Sequence, residues 1–104
     1  MLMLITSITR FVDETAPGWV ECHFTDIHGR DWNVIEKVPV VSIASLDAYS
    51  SYPQRGMIAC QMIVNWFDET GREIVSIDIE SPWGLKSVSG ETMFDVFGSQ
   101  LVKL

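Results

Sequence analysis

The stretch MIACQMIVNWF, residues 57–67, decides the fold class of this 104-residue chain. Its apolar residues recur at every second position, as in Ile58, Cys60 and Met62, and a period of two is typical of a β-strand. The intervening positions are partly apolar too, which predicts a central strand, or a strand in a barrel wall, with protein packed against both faces. The same alternation assigns Trp66 to the core.

Four further segments alternate in the same way, at residues 20–25, 32–38, 75–80 and 94–96. Glycine-bearing turns separate them, and glycine supplies the positive φ that tight hairpins require. The sequence therefore predicts one all-β domain over residues 1–104, with six or seven mostly antiparallel strands in a small barrel or a two-layer sandwich. The serine-rich segment 40–54 reads as a loop with at most one short helical turn, at 46–50.

Two turns share the pattern Asp-x-x-Gly-Arg-acid, at Asp26–Asp31 and Asp68–Glu73. Aspartate accepts hydrogen bonds from the backbone of such a turn, and glycine takes its left-handed position. A duplicated hairpin and convergent turn chemistry both explain the repeat. The second explanation is favoured because the flanking strands do not match.

The charge balance narrows the choice of partners. Seven Lys and Arg stand against fourteen Asp and Glu, giving a net charge of −7, and the cations are scattered along the chain. Nucleic acids and anionic membranes need clustered cations, so both are disfavoured. A basic protein partner is compatible with this charge, although an acidic surface also serves solubility alone.

The N-terminus and the two cysteines indicate where the protein is located. The apolar N-terminus lacks the cationic flank and cleavage site of a signal peptide, so a cytoplasmic location is expected, with Cys22 and Cys60 as buried, reduced thiols.

The sequence shows no sign of a metal site or of catalysis. Successive side chains of a β-strand point to opposite faces, so Cys22 and His23 do not readily bind one metal ion. No nucleophile, phosphate-binding or dinucleotide motif is present. We predict no enzymatic activity, no catalytic residue, no cofactor and no metal.

Four tryptophans in so short a chain stand out, because tryptophan is enriched at protein interfaces. Periodicity places Trp32 in the core together with Trp66. Trp83 lies in the turn Ser81–Gly84, which presents its ring outward, and Trp19 follows a similar Pro-Gly pair. Asp78 and Glu80 share the outer face of the preceding strand. The predicted partner-binding residues are Trp83, Asp78, Glu80 and Trp19.

Three segments, EKVPVV at 36–41, PWG at 82–84 and SGETMFDV at 89–96, resemble motifs of small uncharacterised bacterial proteins of about this length. The resemblance extends from about Trp19 to the C-terminus. It implies a compact, stand-alone β protein and carries over no activity, ligand or site residue.

The favoured function is a non-enzymatic, acidic protein-binding module, one form of which is an immunity-type protein that neutralises a basic toxin. One alternative is a structural or self-associating protein that pairs through an edge strand, so a homo-oligomer stays open. Another is a barrel that binds a small ligand in a pocket invisible to sequence.

Overall fold

Seven strands make up the computed structural model of this protein, which describes residues 1–104. Every pair of neighbouring strands is antiparallel, and the sheet curls into a half-barrel with the order β3-β2-β1-β4-β5-β6. This confirms the predicted all-β class and strand number. The strands are β1 (Leu2–Asp13), β2 (Trp19–Thr25), β3 (Asp31–Lys37), β4 (Gln54–Phe67), β5 (Glu73–Asp78), β6 (Met93–Phe97) and β7 (Leu101–Lys103).

Two strands, β4 and β1, lie in the middle of the sheet. The sequence predicted this place for β4, and its patterns did not identify β1. One of its edges pairs with the first half of β4, and its other edge pairs with both β2 and β7. Leu4 and Ile8 are fully buried on its inner face, with the polar Thr6 between them also buried. That threonine interrupts the apolar alternation, which made the segment look like a short apolar N-terminus.

The turn between β2 and β3 contacts β6, which joins the two opposite ends of the curled sheet. The backbone N–H of Ile27 donates to the Asp95 carbonyl at 3.0 Å. Beneath this turn, the Phe94 ring meets the rings of Phe24 and Trp32 edge-on, each with centroids 5.0 Å apart. Trp32 is half-buried and packs against the core, close to its predicted place.

The core consists of residues from the inward faces of the strands. Val75, Ile77 and Ile79 are buried as alternation predicted. Cys22 and Cys60 are buried and free, and burial raises the pKa of both thiols to about 11. Because a thiol must lose its proton to act as a nucleophile, neither cysteine is poised for reaction.

The two related turns are built alike. In each, the aspartate N–H donates to the arginine carbonyl at 2.9 Å, and the aspartate Oδ1 accepts from two backbone N–H groups. Gly29 and Gly71 adopt φ of 76° and 83°, the left-handed position expected of them. The turns differ in burial, because the side chain of Asp26 is 4% exposed and that of Asp68 is 19% exposed.

The short helical turn lies earlier than predicted, at α1 (Val38–Val41) instead of 46–50. Pro39 stands in its first turn, where a missing N–H does no harm, and Val38 and Val41 are buried. A single 3-10 turn, Gly98–Gln100, joins β6 to β7. Neither helical segment has the length and apolar character that crossing a membrane would require.

Candidate functional site

The second half of β4, residues 61–67, lacks a neighbouring strand on one side. Residues 54–60 pair with β1, and residues 61–67 pair with β5 on the opposite edge. Because β1 stops at Leu2, opposite Cys60, only Met1 continues its line, and no strand lies beside the rest of β4 on this side. We call residues 61–67 the β4 extension. A bulge between Met62 and Val64 marks where it departs from the β1 side of the sheet.

The β4 extension exposes large apolar side chains on both faces. The exposed fractions are 51% for Met62, 49% for Ile63, 51% for Val64, 40% for Trp66 and 67% for Phe67. The prediction of a strand covered on both sides is therefore wrong for this half of β4, and so is the assignment of Trp66 to the core. An apolar run identifies a strand, but periodicity alone does not show whether protein or solvent faces it.

Cross-strand pairing shows which side chains share a face. Val64 and Trp66 lie opposite Ser76 and Ile74, on the outer face of the sheet. Asn65 lies opposite the core residue Val75, so Asn65 and Phe67 belong to the inner face. Asn65 donates a hydrogen bond from Nδ2 to Glu73 at 2.9 Å. Each face thus carries its own apolar contact surface.

Backbone groups along the open edge lack ladder partners. The Asp68 N–H donates to the Arg72 carbonyl across the hairpin at 2.9 Å. Because hydrogen-bonded and non-bonded pairs alternate in an antiparallel ladder, Trp66 also points its N–H and C=O toward β5. Asn65 and Phe67 then point theirs away, into the open edge. They form a template for one more strand.

The other strand edges carry the charges that protect a sheet from unwanted pairing. At one end of the sheet, β3 contains Asp31, Glu36 and Lys37. At the other end, β6 contains Asp95, while β7 is only three residues long. The β4 extension, with the sequence QMIVNWF, contains no charge and no proline. It is the one long edge that lacks protection.

An open groove of about 630 Å³ adjoins this edge on the inner face. Its apolar lining includes Leu2, Met62, Val75 and Leu101, and polar groups, Glu73 and Lys103 among them, complete it. A strand added beside β4 would send every second side chain toward this space. The groove and the open edge therefore form one candidate binding site.

The predicted partner-binding residues lie on several elements. Asp78 pairs with Gln61, which places it at the base of the β4 extension, and its carboxylate accepts from the Glu80 N–H at 2.9 Å. Glu80 is exposed. Trp19 is half-buried at the start of β2, with the Lys37 ammonium 5.5 Å from its ring centroid. The sequence analysis predicted a strand at residues 61–67 but not a binding site there, although the lack of charged residues in this run was visible.

Trp83 is 48% exposed and lines a small recess of about 210 Å³ on the outer face of the sheet. Met3, Met57 and Ile43 also line that recess, and the exposed fraction of Trp83 means that protein covers about half of its surface.

We expect Trp83→Ala to lower the free energy of unfolding by about 2 kcal/mol, roughly half the loss for a fully buried tryptophan. Urea denaturation would measure it. Ile43→Ala is the matched control, because Ile43 lines the same recess but is fully exposed. A loss for Trp83→Ala no larger than that of the control would mean that the ring does not pack against the sheet.

The chain was compared with protein-family models, curated proteins and solved structures, and none of them matches it. The candidate site rests on its geometry.

Proposed function

We propose that this protein is a non-enzymatic protein-binding module whose partner adds a β-strand to the open edge of the β4 extension. The observation that carries the proposal is the uncharged edge at residues 61–67, with free backbone groups and five exposed apolar side chains. In β-strand addition, main-chain hydrogen bonds supply affinity and alternate side chains enter adjacent pockets. The neighbouring groove supplies such a pocket.

The geometry of the acidic surface supports the same proposal. Asp78 and Glu80 lie at the end of β5 that adjoins the start of the extension. A partner strand flanked by basic residues would be attracted by these carboxylates and by the overall charge of −7. The apolar edge would then hold the partner, while the acidic surroundings would raise its rate of association.

A defined peptide tests this proposal. The probe is a blocked peptide in which Val and Thr alternate between two terminal lysines, titrated into isotope-labelled protein and followed by NMR. We expect amide shifts concentrated in residues 61–67, with the Asn65 and Phe67 amides gaining protection from hydrogen exchange. Shifts confined to another surface, or no shifts from protein that sedimentation shows to be monomeric, would contradict the proposal.

Edge variants provide the control. Ile63→Lys places a charge on the open edge, which is how natural edge strands resist pairing, and we expect it to abolish the peptide-induced shifts. Ile35→Lys makes the same change on the edge strand β3, where Ile35 is 38% exposed. It should leave peptide binding unchanged, which separates an effect of the site from an effect of net charge.

A further inference from the structure

We propose that the strand added to the β4 extension is the β4 extension of a second copy, so that two chains form an antiparallel, two-fold symmetric pair centred on Asn65. This inference rests on the proposed function and names its partner. A two-fold axis requires a surface that is complementary to itself. The β4 extension meets that requirement in its backbone, its side chains and its charge.

The backbone allows two kinds of two-fold register. A residue opposite its own copy either points its N–H and C=O toward that copy and exchanges two hydrogen bonds with it, or points them away and leaves the bonds to its neighbours. Asn65 is of the first kind, and in this register Phe67 lies opposite Ile63 of the second copy. Trp66 is of the second kind, but centring on Trp66 would place Val64 opposite Asp68 of the second copy and bring a carboxylate into the apolar contact. The side chains therefore favour Asn65 as the centre.

Steric space supports the same register. Leu2 stands beside Cys60, so Met1 follows at the level of Gln61, where its ammonium donates to the Leu104 carbonyl at 2.6 Å. With the axis at Asn65, the ladder covers residues 63–67 of each copy. Gln61 and Met62 stay outside it, which leaves room for Met1 and for the turn of the second copy.

Side chains match across the axis. On the outer face, Val64 of each copy lies opposite Trp66 of the other, which joins four exposed apolar side chains into one cluster. From the exposed fractions, two copies offer roughly 500–900 Å² of apolar side chain. Main-chain atoms bring the buried total to about 1,000 Å², the lower limit for a specific interface. We therefore expect a reversible pair with micromolar affinity.

Charge favours a second copy at this edge and at no other strand edge. Two chains that each carry −7 repel one another, so they can associate only where the contact itself is neutral. The sequence QMIVNWF is neutral over its whole length. On β3 and β6, Asp31, Glu36 and Asp95 would bring carboxylates close together.

Substitution at the axis tests both the pair and its register. Sedimentation of the full chain between roughly 1 and 200 μM, a range that spans micromolar affinity, should show a monomer–dimer equilibrium. In Asn65→Lys or Asn65→Asp, like charges face each other across the axis, and we expect dimerisation at least about tenfold weaker.

A one-to-one mixture of the two variants should pair again, because lysine then faces aspartate. Asn33→Lys and Asn33→Asp, on β3 at the other end of the sheet, should dimerise as the unmodified chain does.

A chain that stays monomeric over this range would overturn the proposal, as would dimers that ignore charge at Asn65 or a mixture that fails to pair. The peptide titration separates this failure from that of the proposed function. If the chain is monomeric while the alternating peptide still shifts residues 61–67, the module binds another protein and self-pairing is wrong. If the peptide also leaves these residues unchanged, both proposals fail.

Discussion

Replacing Asp26 by alanine is expected to lower the free energy of unfolding by about 3 kcal/mol, because three donors lose one buried, charged acceptor. The Asp26 carboxylate accepts from the Trp32 indole N–H at 2.9 Å and from the backbone N–H groups of His28 and Arg30 at 2.8 and 3.0 Å. Alanine supplies none of these acceptors. Chemical denaturation followed by tryptophan fluorescence would measure the loss.

The second turn provides a matched control. Asp68 makes the same backbone hydrogen bonds and the same arginine ion pair, but it accepts from the exposed Thr70 hydroxyl at 2.7 Å where Asp26 accepts from the Trp32 indole. Asp68→Ala should therefore cause a distinctly smaller loss than Asp26→Ala. Equal losses would mean that the bond between Asp26 and Trp32 stabilises the fold no more than an exposed hydroxyl bond does.

Valine in place of Gly56 is expected to lower the free energy of unfolding by about 3 kcal/mol, the upper end of the usual range for overpacking a core. Gly56 is buried in the β1–β4 pair, opposite Thr6. A Cβ atom there would lie 2.7 Å from Ile8 Cγ1 and 3.0 Å from Thr6 Oγ1. Ile8 is fully buried and has little room to move.

A competing effect favours valine, since it forms strands better than glycine by up to about 1 kcal/mol. The clash is the larger effect, so the net change is destabilising. Arg55→Val places the same side chain on the exposed face one residue earlier and should change stability by less than about 0.5 kcal/mol. Thermal melts of both variants would decide. An unchanged melting temperature for Gly56→Val would show that Ile8 can adjust.

Most of the fold was predictable because short-range patterns determine it. Alternation located β2, β3, β4, β5 and β6, and the Asp-x-x-Gly-Arg pattern located both related turns. The strand β1 escaped because Thr6 breaks its apolar alternation. The helical turn was predicted at 46–50 because Leu46, Tyr49 and Tyr52 recur at helical spacing. Pro39, a residue common in the first turn of a helix, was the better indicator of α1.

The candidate site was only partly predictable. Asp78 was chosen for its charge, and it does lie beside the β4 extension. The extension itself was predicted to have protein packed on both faces, since Met62, Val64 and Trp66 look like core residues. Their exposure depends on what packs against the two faces of β4, and the open edge depends on where β1 ends, nearly sixty residues away. Periodicity within residues 57–67 reports neither.

The sequence by itself determined that this chain forms antiparallel strands, where its glycine turns lie and which faces of β2 and β5 are buried. Those properties depend on residues within a few positions of one another, through side-chain alternation and backbone conformation. Only the tertiary structure decided that β1 lies beside β4 and that it ends at Leu2, opposite Cys60, because strand neighbours are chosen by long-range packing. That choice left residues 61–67 with an open, uncharged edge and with large apolar side chains exposed on both faces.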